Sequence, residues 1–240
     1  MQRTVLITGA AVRIGGAIAE GLARAGWDVA VHAFRSGAQA EALCAQLRAL
    51  GRRAWRVEGD LAAAGGPDAV FGAAVAACGA VDALVNNAAV FARGPLAEAP
   101  AGLFEDLWRI NALAPIRLTQ LVAAHLAERG ARGSVVNLLD QRIARPGCAG
   151  ATPYLVSKRA LEAFTLSAAR ELAPALRVNA VAPGAVLPPP GPGAGEPAGA
   201  FPLGARPTAA QVADAVRFLL DADAVTGQIL FVDGGQHLAP

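Results

Sequence analysis

The chain has 240 residues, of which 54% are hydrophobic and 17% charged, and its formal net charge is +2. These values exclude an intrinsically disordered chain, and the small net charge without a basic run excludes an electrostatic nucleic-acid binder. No segment supplies about 18 uninterrupted apolar residues, so the sequence predicts no membrane span. A chain of this length fits one α/β domain, which we expect to cover residues 1–240.

The three cysteines carry no sign of a metal site or of a disulfide framework. Cys44, Cys78 and Cys148 are scattered, odd in number and make no CxxC or other ligand spacing with the histidines. Small reduced thiols are the simpler interpretation. We therefore expect no metal cofactor and a cytoplasmic location.

Short apolar segments alternate with amphipathic helical patterns along the whole chain. In chain order the strand-like segments are TVLITG, DVAVHAF, RAWRVEGD, VDALVNNAA, GSVVNLLD, LRVNAVAPG and QILFVDGG. The intervening patterns predict helices at about residues 14–25, 37–50, 66–78, 103–128, 152–173 and 208–221. Continuously apolar strands between helices are typical of a parallel sheet covered on both faces. The sequence thus predicts a single-domain α/β protein of Rossmann type, with a doubly wound seven-stranded parallel sheet.

A glycine-rich turn directly follows the first predicted strand and opens the first helix, in TGAAVRIGGAIAE at residues 8–20. Backbone amides at such a helix start attract a pyrophosphate, and Gly9 and Gly15 allow close approach of a ligand. Arg13 stands where the usual pattern has a middle glycine. Together with NNAA at residues 86–89, this context favours a dinucleotide site over a purely structural turn.

The end of the second predicted strand bears on the choice between NAD and NADP. An NAD site needs an acidic residue there, whereas this chain has VHAFRSG, with His32, Arg35 and Ser36 and no carboxylate. A guanidinium with a hydroxyl can bind a ribose phosphate, so the segment favours NADP(H) over NAD(H). The alternative is that Arg35 only solvates a loop. Asp60, after the third strand, could accept from the adenine amino group or cap a helix, and both interpretations stay open.

The single tyrosine and the single lysine of the chain lie four residues apart on a predicted helix. Tyr154 and Lys158 therefore project from one face of that helix. A nearby ammonium favours the ionised form of a phenol, whose pKa is otherwise about 10. The pair is a candidate general acid or base. The alternative, a half-buried tyrosine beside a surface lysine, leaves the uniqueness of both residues unexplained.

A segment rich in proline and glycine, LPPPGPGAGEPAGA at residues 187–200, separates the sixth strand from the last helix. Its composition predicts no regular structure. Loops that leave the carboxyl ends of strands border the ligand crevice of an open α/β sheet. We therefore expect a substrate-binding loop over residues 187–206.

Six motifs occur in order along the chain: TGxxxRIG, NNAA, INALAP, YLVSK, APGAV and VTGQILFVDGG. Together they resemble the short-chain dehydrogenase/reductase family over essentially the whole sequence. The resemblance implies hydride transfer from a nicotinamide cofactor, with Tyr154 as the proton donor and Lys158 contacting the ribose and lowering the phenol pKa. It also implies that Asn111 anchors a relay water and that the protein is a homotetramer or homodimer.

The sequence departs from the usual family pattern at the end of the fifth strand, where Asp140 in NLLDQR replaces a serine. An ionised aspartate cannot donate a hydrogen bond to a substrate carbonyl. Asp140, Arg13, the HAFRS segment and Phe91 together resemble the pteridine reductase and dihydromonapterin reductase branch. That resemblance implies that Asp140 and Tyr154 deliver protons to a C=N bond of a pterin. It further implies that Phe91 stacks on the flat ring and that Arg13 faces the substrate.

These interpretations define a set of expected site residues. The expected catalytic residues are Asn111, Asp140, Tyr154 and Lys158. The expected cofactor-binding residues are Gly9, Arg13, Ile14, His32, Arg35, Ser36, Asp60, Leu61, Asn87, Ala88, Tyr154, Lys158, Pro183 and Gly184. The expected substrate-binding residues are Arg13, Phe91, Asp140 and Tyr154.

Three functional hypotheses follow from the sequence. The leading one is an NADPH-dependent reductase of a pterin-like or similar heterocyclic C=N substrate, with Tyr154 and Asp140 as the proton relay. The second is a short-chain reductase of another carbonyl or imine, in which Asp140 only orients Tyr154. The third is a catalytically silent NADPH-binding regulator.

Overall fold

The computed structural model describes residues 3–145, 147, 149–187 and 201–239. Within these residues the strands are β1 (Thr4–Ile7), β2 (Asp28–Ala33), β3 (Ala54–Glu58), β4 (Ala83–Asn86), β5 (Gly133–Leu138), β6 (Leu176–Pro183) and β7 (Ile229–Val232). The α-helices are α1 (Arg13–Arg24), α2 (Gly37–Ala49), α3 (Gly66–Cys78), α4 (Ala101–Trp108), α5 (Ala114–Glu128), α6 (Thr152–Glu171) and α7 (Ala209–Asp221). Every strand pair is parallel, and the sheet order is β3-β2-β1-β4-β5-β6-β7. The predicted single-domain Rossmann fold is confirmed.

Helices cover both faces of the sheet because side chains alternate along each strand. Val5 and Ile7 of β1 belong to one buried cluster, together with residues of α1, α2 and α7 such as Ile18. Leu6, between them, belongs to a second cluster on the opposite face, with residues of α3, α5 and α6 such as Leu118. The wholly buried strands are thus apolar on both sides, as a parallel sheet requires.

The helix predicted over residues 103–128 differs from the structure in one respect. The segment is helical from Ala101 to Glu128, but a π-helical turn at Arg109–Leu113 separates α4 from α5. Such a turn inserts one extra residue into the helix, and π turns concentrate at functional sites. Asn111, an expected catalytic residue, lies in this turn and is fully buried.

The carboxyl ends of all seven strands lie along one edge of the sheet, which positions the candidate site. The loops after β1, β2 and β4 meet at this edge, beside the strand-order reversal typical of ligand crevices in such sheets. A short 3₁₀ helix at Gln141–Ala144 follows β5 directly, and another at Gln236–Leu238 follows β7.

Residues 188–200, most of the expected substrate-binding loop, lie outside the described residues, as does Cys148. Among the residues that the structure describes, no helix is long and apolar enough to cross a membrane. The same residues contain no group of three or more histidine, cysteine, aspartate or glutamate side chains that could hold a metal ion.

Candidate active site

A cleft of about 400 Å³ opens at the carboxyl ends of β1, β2 and β4. The predicted cofactor-binding residues that line it are Gly9, Arg13, Ile14, His32, Asp60, Leu61, Asn87 and Ala88. The first turn of α1 faces this cleft without a side-chain cap and without an acidic residue. Its amide groups and the positive end of its dipole are therefore available to an anionic group such as a pyrophosphate.

Two glycines allow the turn before α1 to pack tightly against β4. Gly9 has a φ of +60°, and a Cβ at this position would lie 3.1 Å from the Ala88 Cα atom. A Cβ at Gly15 would overlap the carbonyl oxygen of Gly9 and stand 2.7 Å from the Asn87 side chain. Any larger residue would thus push this turn away from the end of β4.

Arg13, the first residue of α1, also has a positive φ, of 58°. This conformation is uncommon for a residue with a Cβ and carries backbone strain. The Arg13 side chain is exposed and borders the cleft. Arginine is thus present at the mouth of the cleft in a conformation that glycine would adopt at lower cost.

His32 holds the glycine turn to the ends of β2 and β3. Its Nδ1 accepts from the Gly9 amide at 3.2 Å, so the ring proton lies on Nε2, which is 3.0 Å from the Gly59 carbonyl oxygen. Burial lowers the pKa of the imidazole, which favours the neutral form that this pairing needs. His32 borders the cleft, but both of its nitrogens are engaged by the protein backbone.

Asn87 and Thr8 fasten the end of β4 to the same turn. The Asn87 side-chain amide donates to the carbonyl oxygens of Thr8 and Gly9, at 2.9 and 3.0 Å. The Thr8 hydroxyl oxygen accepts from the amides of Asn87 and Ala88, at 2.9 and 3.0 Å. The NNAA motif therefore shapes the cleft through backbone contacts.

Arg35 and Ser36 lie just beyond β2, at the sheet edge next to the cleft. Arg35 is exposed, with its guanidinium carbon 5.1 Å from the ring centroid of Phe34, a half-exposed lining residue. Ser36 precedes α2 and makes no side-chain cap. Asp60 accepts from the Ala62 amide at 2.9 Å through one carboxylate oxygen while it also lines the cleft.

Tyr154 and Lys158 are buried on the inner face of α6. The Lys158 Nζ donates to the carbonyl oxygen of Leu138, at the end of β5, with a distance of 2.7 Å. Burial lowers the pKa of the Lys158 ammonium to about 8, and the negative charge of Asp140 partly opposes this effect. Lys158 is thus a buried cation held by one backbone carbonyl.

The Tyr154 hydroxyl donates to the Asp140 carboxylate, with 3.0 Å between the hydroxyl oxygen and Oδ2. Burial and the neighbouring Asp140 charge raise the pKa of Tyr154 well above its usual value, and Arg142 opposes them. The net effect on this pKa is opposite to the lowering expected from Lys158. The lysine Nζ lies 5.9 Å from the ring centroid, and loss of solvation and a nearby anion outweigh it.

Asn111 links the segment after β4 to α6. Its Oδ1 accepts from the Val90 amide and its Nδ2 donates to the Val90 carbonyl oxygen, both at 2.9 Å. The Nδ2 also donates to the Ser157 hydroxyl at 3.0 Å, and that hydroxyl donates to the Tyr154 carbonyl oxygen at 2.7 Å. The π turn thus places Asn111 where it ties the cleft wall to the tyrosine helix.

Phe91 follows Val90 and brings an aromatic ring to the tyrosine. The two rings meet edge to face, with 4.7 Å between the centroids of Phe91 and Tyr154. Phe91 is 47% exposed, so a large apolar surface faces solvent beside a titratable hydroxyl. An aromatic ring with a few convergent polar groups beside it is the combination found in small-molecule sites, where the ring binds a flat ligand and the polar groups orient it.

Pro183 is the last residue of β6 and Gly184 follows it at the same sheet edge. Neither residue lines the 400 Å³ cleft. The Gly184 amide donates to the Val232 carbonyl oxygen at 3.0 Å. A Cβ on Gly184 would lie 2.7 Å from the Asp233 side chain, so this position needs glycine for packing between β6 and β7.

Three residues at the site were not predicted from the sequence. Arg142 contacts Asp140, Phe34 lines the cleft, and Thr8 organises the end of β4. The threonine of the TG motif and the arginine of DQR both lie in motifs that the sequence analysis used. Their contacts could not be predicted, because their partners are brought to them only by the fold. An exposed aromatic directly after β2 was a usable signal for Phe34.

This fold and this arrangement of a glycine turn, a buried tyrosine and a buried lysine define an NAD(P)H-dependent oxidoreductase. A family model described as enoyl-(acyl carrier protein) reductase matches residues 9–237. Pteridine reductase 1 of Leishmania tarentolae is 37% identical to the chain over 97% of this chain and 96% of the relative. The chain belongs to the short-chain dehydrogenase/reductase family, as the sequence motifs predicted.

Solved structures give the same assignment. The FolM alternative dihydrofolate reductase 1 of Brucella canis, complexed with NADP, matches with a TM-score of 0.89 and 33% identity, over 99% of this chain and 95% of that one. An acetoin dehydrogenase of Enterobacter cloacae matches with a TM-score of 0.90 and 30% identity, over 100% of this chain and 97% of that one. The prediction of an NAD(P)H-dependent oxidoreductase is confirmed.

Proposed function

We propose that this protein is an NADPH-dependent reductase of a pterin-like or similar flat heterocyclic C=N substrate. One observation carries the proposal: the Tyr154 hydroxyl lies 3.0 Å from the Asp140 carboxylate, beside the half-exposed ring of Phe91. A stacking surface thus adjoins a pair of groups that can pass a proton. Asp140, which accepts hydrogen bonds, stands where the family usually has a serine that donates a hydrogen bond to a substrate carbonyl. This replacement favours protonation of a substrate nitrogen over polarisation of a ketone.

Reduction of a C=N bond adds a hydride to carbon and a proton to nitrogen. The nicotinamide cofactor supplies the hydride when it is bound. Tyr154 is the proton donor in this scheme, and its hydroxyl turns from Asp140 to the substrate nitrogen. Asp140 takes up a proton from solvent and returns it to the tyrosine oxygen, so that one proton from water reaches the product per turnover.

Lys158 and Asn111 keep this pair in place. The Lys158 ammonium is anchored to the Leu138 carbonyl, two residues before Asp140, and has two further donors for the ribose of the cofactor. Asn111 holds Val90 and, through Ser157, the backbone of Tyr154. These contacts fix the separation between the stacking ring and the proton donor.

The cofactor proposal rests on the end of β2. The segment directly after β2, residues 34–36, contains no carboxylate, and Arg35 is exposed there with Ser36 beside it. The α1 amide groups fit the pyrophosphate, while Arg35 and Ser36 fit a ribose phosphate. The complex of the Brucella canis relative with NADP supports this choice.

The identity to pteridine reductase 1 and to an alternative dihydrofolate reductase supports the pterin class. A second candidate is reduction of a small ketone, favoured by the likeness to acetoin dehydrogenase. In that case Asp140 would only orient Tyr154. Arg13 and the loop at residues 187–206 are the proposed substrate contacts in either case.

The proposal is tested by following NADPH oxidation with dihydrobiopterin, dihydrofolate and a panel of small ketones. Wild type is compared with Asp140→Ser and with Asp68→Ser, a control that removes an exposed aspartate paired with Arg117. We expect turnover of a dihydropterin that Asp140→Ser abolishes and Asp68→Ser leaves intact. Turnover of ketones alone, or pterin turnover unaffected by Asp140→Ser, would reject the proposal.

We also propose a cytoplasmic homotetramer, with a homodimer as the alternative. Large apolar side chains are exposed on the adjoining surfaces of α4, the π turn and α6: Trp108, Leu113, Val156 and Leu166. Such surfaces are typical of subunit interfaces. Light scattering measures the oligomeric state of the purified wild type and of the variants Trp108→Glu and Leu166→Glu. A monomeric wild type would reject the proposed assembly.

A further inference from the structure

A small cavity lies beside Phe91 and is separate from the 400 Å³ cleft. Its volume is about 150 Å³, and it is enclosed by the segment after β4, the start of α4 and the start of α6. Arg93, Glu98 and Pro153 are among the residues that line it, and none of them lines the larger cleft. Because Pro153 directly precedes Tyr154, the cavity adjoins the tyrosine end of the site.

Backbone hydrogen bonds hold the walls of this cavity together. The Gly94 amide donates to the Gly150 carbonyl oxygen at 2.9 Å, which ties the segment after β4 to the residues before α6. The Glu98 amide donates to the Pro95 carbonyl oxygen at 3.1 Å, within a short 3₁₀ helix at Leu96–Glu98. The cavity is therefore held against the helix that carries the tyrosine.

Arg93 and Glu98 bring opposite charges to this cavity without pairing with each other. Both residues are exposed, and neither forms an ion pair with any residue that the structure describes. Within the same part of the chain, the Arg93 guanidinium contacts only the ring of Phe91, with 5.5 Å between its carbon and the ring centroid. A guanidinium only donates hydrogen bonds and a carboxylate only accepts them. The cavity thus offers both kinds of group to a ligand.

A hydroxyl group suits this combination best. It accepts and donates a hydrogen bond, so one hydroxyl can satisfy the guanidinium and the carboxylate together. An anionic group would be attracted by Arg93 but repelled by Glu98, and a cationic group would meet the reverse. The other described residues that line the cavity have no polar side chain, for example Pro95 and Leu103. They suit the carbon atoms of a short side group.

The size of the cavity fits such a side group. One water molecule takes about 30 Å³ of liquid volume, so a cavity of 150 Å³ holds roughly five non-hydrogen atoms. A propyl chain with two hydroxyls has this size. Because Arg93 both lines the cavity and lies over Phe91, a flat ring bound on Phe91 would direct its side group toward the cavity.

We propose that this cavity is a subsite for a hydroxylated side group of the substrate, with Arg93 as the hydrogen-bond donor and Glu98 as the acceptor. The inference rests on the proposed function, because it takes the flat ring of the substrate to lie on Phe91. It narrows the substrate class to a flat heterocycle with a short, uncharged chain that bears hydroxyls. Arg93 and Glu98 select the substituent of the ring and take no part in the proton transfer.

Three oxidised pterins that differ at one ring position distinguish the possible occupants of the subsite. Biopterin carries a dihydroxypropyl group, 6-methylpterin carries a methyl group, and pterin-6-carboxylate carries an anion. Isothermal titration calorimetry of the protein saturated with NADP measures the Kd of each pterin. This readout needs no turnover.

The variants are Arg93→Gln and Glu98→Gln, at two exposed positions. The matched controls are Arg132→Gln, just before β5 at the opposite edge of the sheet, and Glu105→Gln, on α4 outside the cavity. We expect each cavity variant to weaken biopterin about 3- to 10-fold relative to 6-methylpterin, which corresponds to the loss of one hydrogen bond. Both controls should keep the wild-type ratio.

Two outcomes of the titrations would overturn the subsite. The first is a ratio of biopterin to 6-methylpterin affinity that neither cavity variant changes. The second is a wild-type preference for pterin-6-carboxylate over biopterin that Arg93→Gln removes and Glu98→Gln strengthens, because that pattern identifies an anion site.

Turnover separates this inference from the proposed function. NADPH oxidation is followed with the dihydro forms of biopterin and 6-methylpterin, and the ratio of their kcat/KM values should fall by the same factor as the ratio of affinities. Pterin binding without NADPH oxidation would refute the proposed reductase, while the calorimetry would still decide the subsite. Oxidation with an unchanged kcat/KM ratio in both cavity variants would refute the subsite alone. Failure of every pterin to bind would refute both.

Discussion

Replacement of Lys158 by methionine tests most directly whether burial of the lysine charge destabilises the folded protein. The side chain is buried on α6, and burial lowers its pKa from 10.5 to about 8. Because one pH unit corresponds to about 1.4 kcal/mol, this difference amounts to roughly 3 kcal/mol of unfavourable charge burial at neutral pH. Methionine keeps the apolar length of the side chain and removes the charge.

The sign of the pH dependence follows from proton binding. The unfolded chain keeps the lysine proton up to a pH of about 10.5, whereas the folded protein releases it near 8. Between these values the unfolded state binds more protons, so the free energy of unfolding rises with pH. From pH 8 to about pH 9.5 the wild type should gain roughly 2 kcal/mol from this group, and Lys158→Met should gain none of it.

Urea unfolding followed by tryptophan fluorescence, at several pH values between about 7 and 9.5, measures this difference. Other titrating groups are common to both proteins and cancel in the comparison. Arg159→Met is the matched control, since it removes an exposed cation from the same helix by the same replacement. A difference between Lys158→Met and wild type that stays constant with pH would refute the reasoning.

Three further predictions concern the site. Tyr154→Phe should lower kcat about 10²–10⁴-fold while NADPH fluorescence titration gives an unchanged Kd; undiminished turnover would remove Tyr154 as the proton donor. Arg35→Ala should weaken NADPH about 10- to 100-fold and leave NADH nearly unaffected, and an equal loss for both would contradict the phosphate contact. Asn111→Ala should cost roughly 2–4 kcal/mol in urea unfolding, because it removes the hydrogen bonds that the fully buried Asn111 side chain makes to Val90 and Ser157, and a loss below about 1 kcal/mol would contradict that role.

The sheet and most helices could be predicted because a parallel sheet imposes a strong pattern on the sequence. Segments buried on both faces must be continuously apolar, and the helices between them must be amphipathic. The π turn around Asn111 was not predictable, because one inserted residue barely disturbs the helical pattern. The ends of the helices and strands differ from the predicted ones by a few residues, because helix ends fray and the apolar pattern does not mark the terminal residue.

The candidate site was predictable as a set of residue types but not as a set of contacts. Tyr154 and Lys158 stood out because each is the only residue of its kind. The structure shows that the lysine bonds to Leu138, and that burial of the hydroxyl and the neighbouring Asp140 charge raise the pKa of Tyr154. Arg142 was missed because only the 3₁₀ helix brings it back onto Asp140.

The central claim is that a flat substrate stacks on Phe91 while Tyr154, backed by Asp140, gives it a proton. A crystal structure of the protein with NADP and methotrexate, a stable analogue of a pterin substrate, tests this claim most directly. We predict that the pteridine ring lies against Phe91 with a ring nitrogen or amino group in hydrogen-bond contact with Tyr154 or Asp140. A pteridine bound elsewhere, or a tyrosine hydroxyl directed away from it and from the nicotinamide, would contradict the account.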